Sequence, residues 1–270
     1  MIAPPEGTLE RWAWDYLHAD TLAHKLAPPT APERTEDRAP PRRVLAPTRP
    51  LSLTVSPRAE RTPSANALRN PTQRARLLHV FVHHELQAAE LMAWALLAFP
   101  DAPAAFRRGL VTVFEDEVRH MALYREHMRA LGHDFGAWPV RDWFWQRVPA
   151  AETPAHFVAV MGMGLEGANL DHCTRFAARF RAAGDEEGAR RIEQVGEEEL
   201  PHVRFGLHWF RRFTGAEDYA AWAAHLPPPL SPWLMKAKTL DRAMRRRAGY
   251  DDAFLDALDA AVLCLDAPGT

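Results

Sequence analysis

Two stretches of this sequence carry an acidic residue, then a glutamate and, three residues after the glutamate, a histidine. The first stretch contains Glu117 and His120, and the second contains Glu199 and His202. On an α-helix, residues three apart lie about 60° from each other around the axis, so the two side chains of each pair can reach the same ion. One Glu-x-x-His pair is a weak indication of a metal site, whereas two pairs in one chain are a much stronger one.

Each pair follows a further glutamate at nearly the same distance. Glu85 stands 32 residues before Glu117, and Glu166 stands 33 residues before Glu199. Matched offsets are what two antiparallel helix hairpins need to bring these side chains to one level. Glu90 is a rival to Glu85, but five residues turn a helix by about 500° and direct the side chain elsewhere. The sequence therefore predicts six metal ligands: Glu85, Glu117, His120, Glu166, Glu199 and His202.

Four glutamates with two histidines form the ligand set of the dimetal carboxylate bundle. Buried together, four carboxylates repel one another and lose hydration, and two divalent ions cancel their charge. Oxygen-rich ligands with two imidazoles favour iron, with manganese as the alternative. Three further residues are candidates to orient the metal ligands by hydrogen bonds: Asp116, Glu198 and Tyr124. Alternatively, the two acids are surface residues and the tyrosine is a core residue.

Long helices must position these residues, and proline placement shows where such helices can lie. Residues 28–63 hold nine of the 23 prolines, whereas 72–99, 104–138 and 155–200 hold none. Proline removes a backbone donor and breaks helices, so the three proline-free stretches are open to long helices. The proline-rich segment predicts an extended strap. Its seven arginines against four acids leave both surface wrapping and RNA contact open.

Capping signals bracket four long helices, at about 71–98, 103–131, 153–184 and 185–215. The first joins the second, and the third joins the fourth, through only a few residues, which forces antiparallel hairpins. A longer connection, 132–152, joins the hairpins. This pattern predicts an all-α fold, a ferritin-like four-helix bundle. Pro201 lies inside the fourth helix, where we expect a kink or a π-bulge.

The rest of the chain is predicted to surround this bundle. Residues 9–26 read as one amphipathic helix, and 216–264 as short helices. Three parts follow: residues 1–69 as N-terminal helix and strap, 70–215 as the dimetal bundle, and 216–270 as a helical extension. The second hairpin also has unusual glycines, which indicate either close helix packing or an opened cavity for substrate or oxygen: Gly162, Gly164, Gly167, Gly196 and Gly206.

Composition excludes several classes of protein. The net charge of −2 shows no general affinity for polyanions, and the two cysteines are too few for a disulfide framework or a thiolate zinc site. No apolar run reaches the ~18 residues of a membrane span. The N-terminus lacks the pattern of a signal peptide, so we expect a cytoplasmic protein.

Four segments, HHELQAAEL, DEVRH, GLEGANLDH and EEELPHVRFGLHWF, occur in this order in the chain. Through them the chain resembles, over nearly its whole length, a bacterial ferritin-like family without an assigned function. In its metal motif it is also similar to rubrerythrin, manganese catalase and the tRNA-modifying di-iron hydroxylase. The resemblance implies the same six glutamate and histidine ligands and does not imply a particular reaction.

We therefore expect a non-haem dimetal oxidoreductase that activates O2 or peroxide on a small-molecule substrate, with a reductase partner if it is a monooxygenase. A metal-handling protein, a tRNA-modifying hydroxylase and a structural protein with a vestigial site are the alternatives.

Overall fold

A computed structural model describes residues 1–58 and 62–262. Within these ranges the chain is helical, and pairing between extended segments is limited to an isolated bridge between Val55 and Val140. The α-helices are α1 (Leu9–His18), α2 (Leu22–Leu26), α3 (Pro71–Ala98), α4 (Ala104–Ala130), α5 (Pro154–Val158), α6 (Glu166–Ala182), α7 (Glu186–Thr214), α8 (Tyr219–Ala224), α9 (Arg242–Ala248) and α10 (Asp252–Ala260). No described helix is long and apolar enough to cross a membrane.

The described residues group into two compact units. The first contains residues 1–149 and 177–192, and the second contains residues 150–176 and the described residues from 193 onward. These units gather residues by contact rather than by order along the chain. The three-part division of the sequence stays a prediction.

The first predicted hairpin consists of α3 and α4, within one residue of the expected bounds. Asn70 caps α3 by accepting a hydrogen bond from the Thr72 amide at 2.9 Å, and Pro71 follows at the first helical position. Near the turn, the Arg107 guanidinium donates to the carbonyl oxygen of Leu96 at 2.9 Å. The two helices thus run antiparallel and pack along their length.

The second hairpin also has the expected bounds, but its irregular turn lies elsewhere. α5, a π-helical segment (Ala159–Leu165) and α6 form one continuous run, and the Glu166 amide bonds back five residues to Met161. The π-bulge expected at Pro201 is wrong, because α7 is α-helical through Pro201. The alternative of a kink at Pro201 stays a prediction. Pro201 is exposed, so water can solvate the carbonyl that loses its donor.

Glycines in the second hairpin serve close packing. A Cβ on Gly162 would lie 2.6 Å from Gly206 Cα, so the two helix backbones touch at this pair. The space beside Gly164 is filled by Met235, whose sulfur would lie 2.7 Å from an added Cβ. At Gly196, an added Cβ would meet Cys173 Cβ at 2.8 Å. The packing interpretation of these glycines is therefore confirmed, and the cavity interpretation is wrong.

The single N-terminal helix expected over residues 9–26 is wrong, because the chain breaks between α1 and α2. Thr21 caps α2 by accepting from the His24 amide. The chain turns back toward α1, and the Lys25 ammonium donates to the carbonyl oxygens of Tyr16 and Leu17 at 2.7 and 3.3 Å. A continuous helix would carry Lys25 away from these carbonyls.

The described part of the proline-rich strap is extended, as its composition predicts, and contacts α1 and α3 within the first unit. Its backbone amides at Arg42 and Thr48 donate to the carbonyl oxygens of Leu97 and Leu17, both at 2.8 Å. The short helices expected after residue 216 are also present among the described residues, as α8, α9, α10 and a 3₁₀ turn (Pro232–Met235).

Candidate metal sites

Three predicted ligands come together in the first unit and are called here the first triad: Glu85 on α3, with Glu117 and His120 on α4. Each is at most 5% exposed. One ligand atom from each lies within 4.8 Å of those of the other two. His120 Nδ1 is 3.6 Å from Glu117 Oε2 and 3.9 Å from Glu85 Oε2. These distances suit three atoms arranged around a single ion.

The second triad repeats this composition in the second unit, with Glu166 on α6 and Glu199 and His202 on α7. These residues are also at most 5% exposed, and their ligand atoms lie within 4.8 Å of one another. His202 Nδ1 is 2.8 Å from Glu199 Oε2. Each unit therefore brings together one glutamate and one Glu-x-x-His pair, as the matched offsets predict.

An asparagine supports the second triad, and sequence reasoning missed it. Asn169 Nδ2 donates to Glu199 Oε1 at 3.0 Å, while Cys173 Sγ lies 3.6 Å from Asn169 Oδ1. The amide thereby holds one carboxylate oxygen in a fixed direction. Spacing could have revealed it, because Asn169 follows Glu166 by three residues, as each ligand histidine follows its glutamate.

The π-helical segment ends where the second triad begins. Two side chains from the C-terminal part of the chain bind its carbonyl groups: Trp222 Nε1 donates to Ala159 at 2.9 Å, and the Tyr250 hydroxyl donates to Met163 at 2.6 Å. Residues more than 50 positions away thus hold the turn that sets the direction of Glu166. π-turns of this kind are frequent at functional sites.

A buried ion pair fixes the C-terminal helices beside the same segment. Arg245 donates from Nε and Nη2 to the two oxygens of Asp171, both at 2.9 Å. Asp171 also accepts from the backbone amides of Ala237 and Asp241. In the sequence Arg245 belongs to a short basic run that is typical of a solvated face, but its side chain is fully buried. The C-terminal extension is therefore part of the support of α6.

The rejected ligand Glu90 is engaged elsewhere in the first unit. It is fully buried, with Lys25 Nζ at 2.9 Å, Trp145 Nε1 at 2.9 Å and the Arg49 guanidinium against it. Burial acts to raise the pKa of Glu90, but the charges of Arg49 and Lys25 hold it below its usual value. Glu90 is thus a structural anion balanced by two cations.

The three residues predicted to orient ligands are close to the triad residues in the sequence. The contacts described for them are with residues outside the triads. Asp116 receives a hydrogen bond from Arg119 at 2.9 Å, and Glu198 receives one from Gln194 at 3.0 Å; both acids are half-buried. Tyr124 is buried, with its ring centroid 5.4 Å from that of Phe81. Their orienting role stays a prediction.

The donor set of each triad fits a divalent transition metal. Two carboxylates neutralise the charge of one such ion, and an imidazole adds a nitrogen ligand that iron, manganese and zinc all accept. Carboxylates without a cation would carry a large desolvation cost at this burial. The buried Glu and His groups can therefore hold metal ions.

Comparison with known proteins adds relatives without a described activity. A family model described as "Protein of unknown function (DUF455)" matches residues 9–256, which include both triads. An uncharacterized protein of Haemophilus influenzae is 24% identical over 151 residues, which cover 52% of this chain and 51% of that protein. The chain thus matches about half the length of this curated relative. No solved structure matches.

Proposed function

We propose, for a chain that belongs to the DUF455 family of proteins of unknown function, the activity of a metal-dependent oxidoreductase. In this proposal each buried triad holds one divalent ion, and the two ions form the dimetal centre of a ferritin-like bundle. The observation that carries the proposal is the repeated composition: Glu85 with the Glu117 and His120 pair, and Glu166 with the Glu199 and His202 pair.

Charge and burial support metal binding at these residues. Each triad puts two carboxylates into a region that is almost closed to solvent. Buried charges are retained in proteins when they are paired or when they coordinate a metal. An ion at each triad removes the repulsion between the two carboxylates, and the histidine completes a set that hard and borderline metals prefer.

Redox chemistry is the function that this ligand set supports best. Iron or manganese would supply one-electron steps toward O2 or peroxide when bound. The chain supplies the rest: carboxylates that can change their mode of binding, neutral imidazoles, and a buried site that keeps bulk water away. Asn169 donates to one oxygen of Glu199, and His202 Nδ1 lies 2.8 Å from the other oxygen. The substrate is expected to be a small molecule.

RNA modification is the second candidate function, and three arginines of the strap already have partners within the protein. Arg42 forms a double hydrogen bond with Glu36, and Arg49 binds Glu90 and Asp142. Arg43 lies over the ring of Trp94 at 5.5 Å. These three arginines therefore do not favour RNA contact, whereas Arg34, Arg38 and Arg58 are exposed, and the RNA interpretation stays a prediction.

Metal content of ligand variants tests the binding half of the proposal. Protein purified from iron-supplemented cells is expected to contain two ions per chain by mass spectrometry of its metals. Glu117→Gln and Glu199→Gln remove one charge from each triad, and each is expected to lower metal affinity at least tenfold. Glu115→Gln and Glu197→Gln are matched controls, because these glutamates stand two residues earlier on exposed positions.

Oxidation of the reduced protein tests the redox half. The ferrous protein is mixed with O2 or with hydrogen peroxide, and oxidation is followed by absorbance and Mössbauer spectroscopy. Fast oxidation that stops at two irons per chain agrees with an oxidoreductase. Uptake of many irons per chain by a large hollow assembly would instead identify a storage protein. Two tightly bound ions that neither oxidant changes would contradict redox activity and leave metal binding intact.

A further inference from the structure

A pocket of about 300 Å³ lies in the first unit. The residues of the first triad are not among the residues that line it. Three segments form its walls: the end of the strap, the middle of α3, and the connection after α4. The lining residues that bear on its chemistry are Arg58, His79, His83, Arg141 and Trp143. Neither the family match nor the proposed redox function assigns a role to this pocket.

Backbone hydrogen bonds hold the three walls together. The Val140 amide donates to the Thr54 carbonyl at 2.9 Å, and the Ser56 amide donates to the Val140 carbonyl at 2.7 Å. Gln87, which is fully buried on α3, accepts from the Phe144 amide at 3.0 Å. The strap and the connection are thus fixed to each other and to α3, and the pocket is formed before any ligand arrives.

Two histidines one turn apart on α3 present defined polar groups. His79 Nε2 accepts from the Gly136 amide at 3.1 Å, so the ring proton sits on Nδ1 and can be donated. His83 Nε2 faces Asp142 Oδ1 at 3.1 Å and therefore carries a proton. The other nitrogen, His83 Nδ1, is buried and has no hydrogen-bond partner among the described residues. His83 lines the pocket and is only 2% exposed, so its Nδ1 is a buried acceptor whose hydrogen bond is not met by the described residues.

The described lining of the pocket is positively charged. It includes Arg58 and Arg141 and no carboxylate among the described residues, and Arg141 Nε is buried without a hydrogen-bond partner in the described chain. The nearby acid, Asp142, is engaged by Arg49 and His83. Burial and, to a smaller extent, repulsion by Arg141 lower the pKa of Arg147. An anion bound to Arg141 would relieve this repulsion.

We propose that the pocket binds a small aromatic oxyanion, a planar ring that carries a carboxylate or a phosphate. Arg141 and Arg58 bind the oxyanion, the indole of Trp143 contacts the ring, and His83 Nδ1 accepts from a donor on the ligand. The volume suits this size, because a cavity of about 150 Å³ holds a benzene ring and ligand pockets begin at about 300 Å³. Arginine provides the paired donors that carboxylates and phosphates prefer.

Four single-ring probes separate the contributions to binding. Isothermal titration of the full-length protein uses phenyl phosphate, benzoate, benzyl alcohol and benzylamine, with inorganic phosphate as a ring-free reference. Phenyl phosphate or benzoate is expected to bind, and the stronger of the two identifies the oxyanion. Benzyl alcohol and benzylamine are expected to bind at least tenfold more weakly, because they lack the negative charge.

Variants locate the binding in this pocket. Arg141→Gln is expected to weaken the better anion about tenfold or more, since a hydrogen bond to a charged group is lost. Arg58 is exposed, so Arg58→Gln removes the second positive charge of the pocket without risk to the fold. Arg190→Gln removes an arginine paired with Glu187 on the exposed face of α7 and is expected to leave binding unchanged. Circular dichroism and metal content confirm that each variant is folded and loaded.

Three outcomes would overturn the proposal. If neither phenyl phosphate nor benzoate binds, the proposal is wrong. Binding that Arg141→Gln and Arg58→Gln leave unchanged places the anion elsewhere, for example on the metal ions. Inorganic phosphate that binds as tightly as phenyl phosphate shows that the ring contributes nothing. Redox activity is measured separately, so failure here leaves the dimetal proposal standing.

Discussion

The Tyr250 hydroxyl donates a 2.6 Å hydrogen bond to the carbonyl oxygen of Met163, inside the π-helical segment that leads into Glu166. A π-turn leaves carbonyl groups poorly matched to the amides that follow, and a side-chain donor from elsewhere can satisfy one of them. The tyrosine is buried, and burial raises its pKa well above its usual value, so it stays a donor across the working pH range. Tyr250, in the turn between α9 and α10, thereby supports the segment that precedes a predicted metal ligand.

Loss of this hydroxyl is expected to affect the two triads unequally. Tyr250→Phe keeps the ring and removes the hydrogen bond, at a cost of about 1–2 kcal/mol of unfolding free energy. Metal affinity of the second triad should fall, because Glu166 loses its support. The first triad is the internal control and should keep its ion. Metal content and urea unfolding measure the two effects, and equal loss from both triads would contradict a local role.

Close contact between Gly162 and Gly206 predicts a steep cost for any side chain at either position. Gly206→Ala would place a Cβ 2.7 Å from backbone atoms of Gly162, which cannot rotate away. We expect a loss of about 1–3 kcal/mol in unfolding free energy. Gly164→Ala is the matched comparison, because its closest neighbour is the flexible side chain of Met235. Urea unfolding should show the larger loss for Gly206→Ala, and the reverse order would refute a backbone contact.

Acid stability should depend on Asp142. Burial acts to raise its pKa, but hydrogen bonds from His83 and Arg49 lower it to about 2, against 3.8 in an exposed aspartate. A folded-state pKa below the unfolded one gives stability that is full above pH 3.8 and is lost as pH falls toward 2.

Asp142→Asn should therefore flatten the fall in stability between these two pH values. The free energy of unfolding of both proteins, measured in urea at several pH values, tests this. Asp134→Asn is the comparison: its pKa is also about 2, but it lies at the surface with Arg125 and Arg129, where water screens the charges. Its effect should be smaller, and an equal slope in Asp142→Asn and the parent protein would contradict the prediction.

Removal of metal is expected to lower the melting temperature. A ligand that binds only the folded chain stabilises it by mass action, by about 2.7 kcal/mol at 100 times its dissociation constant. Protons compete with metals for carboxylate and imidazole, so the difference between loaded and chelated protein should be larger at pH 8 than at pH 5.5. Thermal unfolding with and without a chelator measures it. The double variant Glu117→Gln, Glu199→Gln should lose most of the difference.

Local sequence determined the long helices and the composition of each triad. Asn70 and Pro71 begin α3, Thr153 and Pro154 begin α5, and Gly132 ends the second helix; each acts through bonds within a few residues of itself. The spacing of Glu117 and His120 follows from the helical period alone. These features can be predicted from the sequence because the interactions that cause them lie within a short stretch of the chain.

Tertiary structure decided the features whose causes lie far apart in the sequence. The break between α1 and α2 allows Lys25 to reach both the Tyr16 carbonyl and the buried Glu90, and the contact with Glu90 is not contained in any local pattern. Arg245 can be buried because its guanidinium donates to Asp171, which lies 74 residues earlier in the sequence. The glycines could equally have opened a cavity, since a missing side chain specifies room but not what fills it. Only packing places another backbone or side chain there.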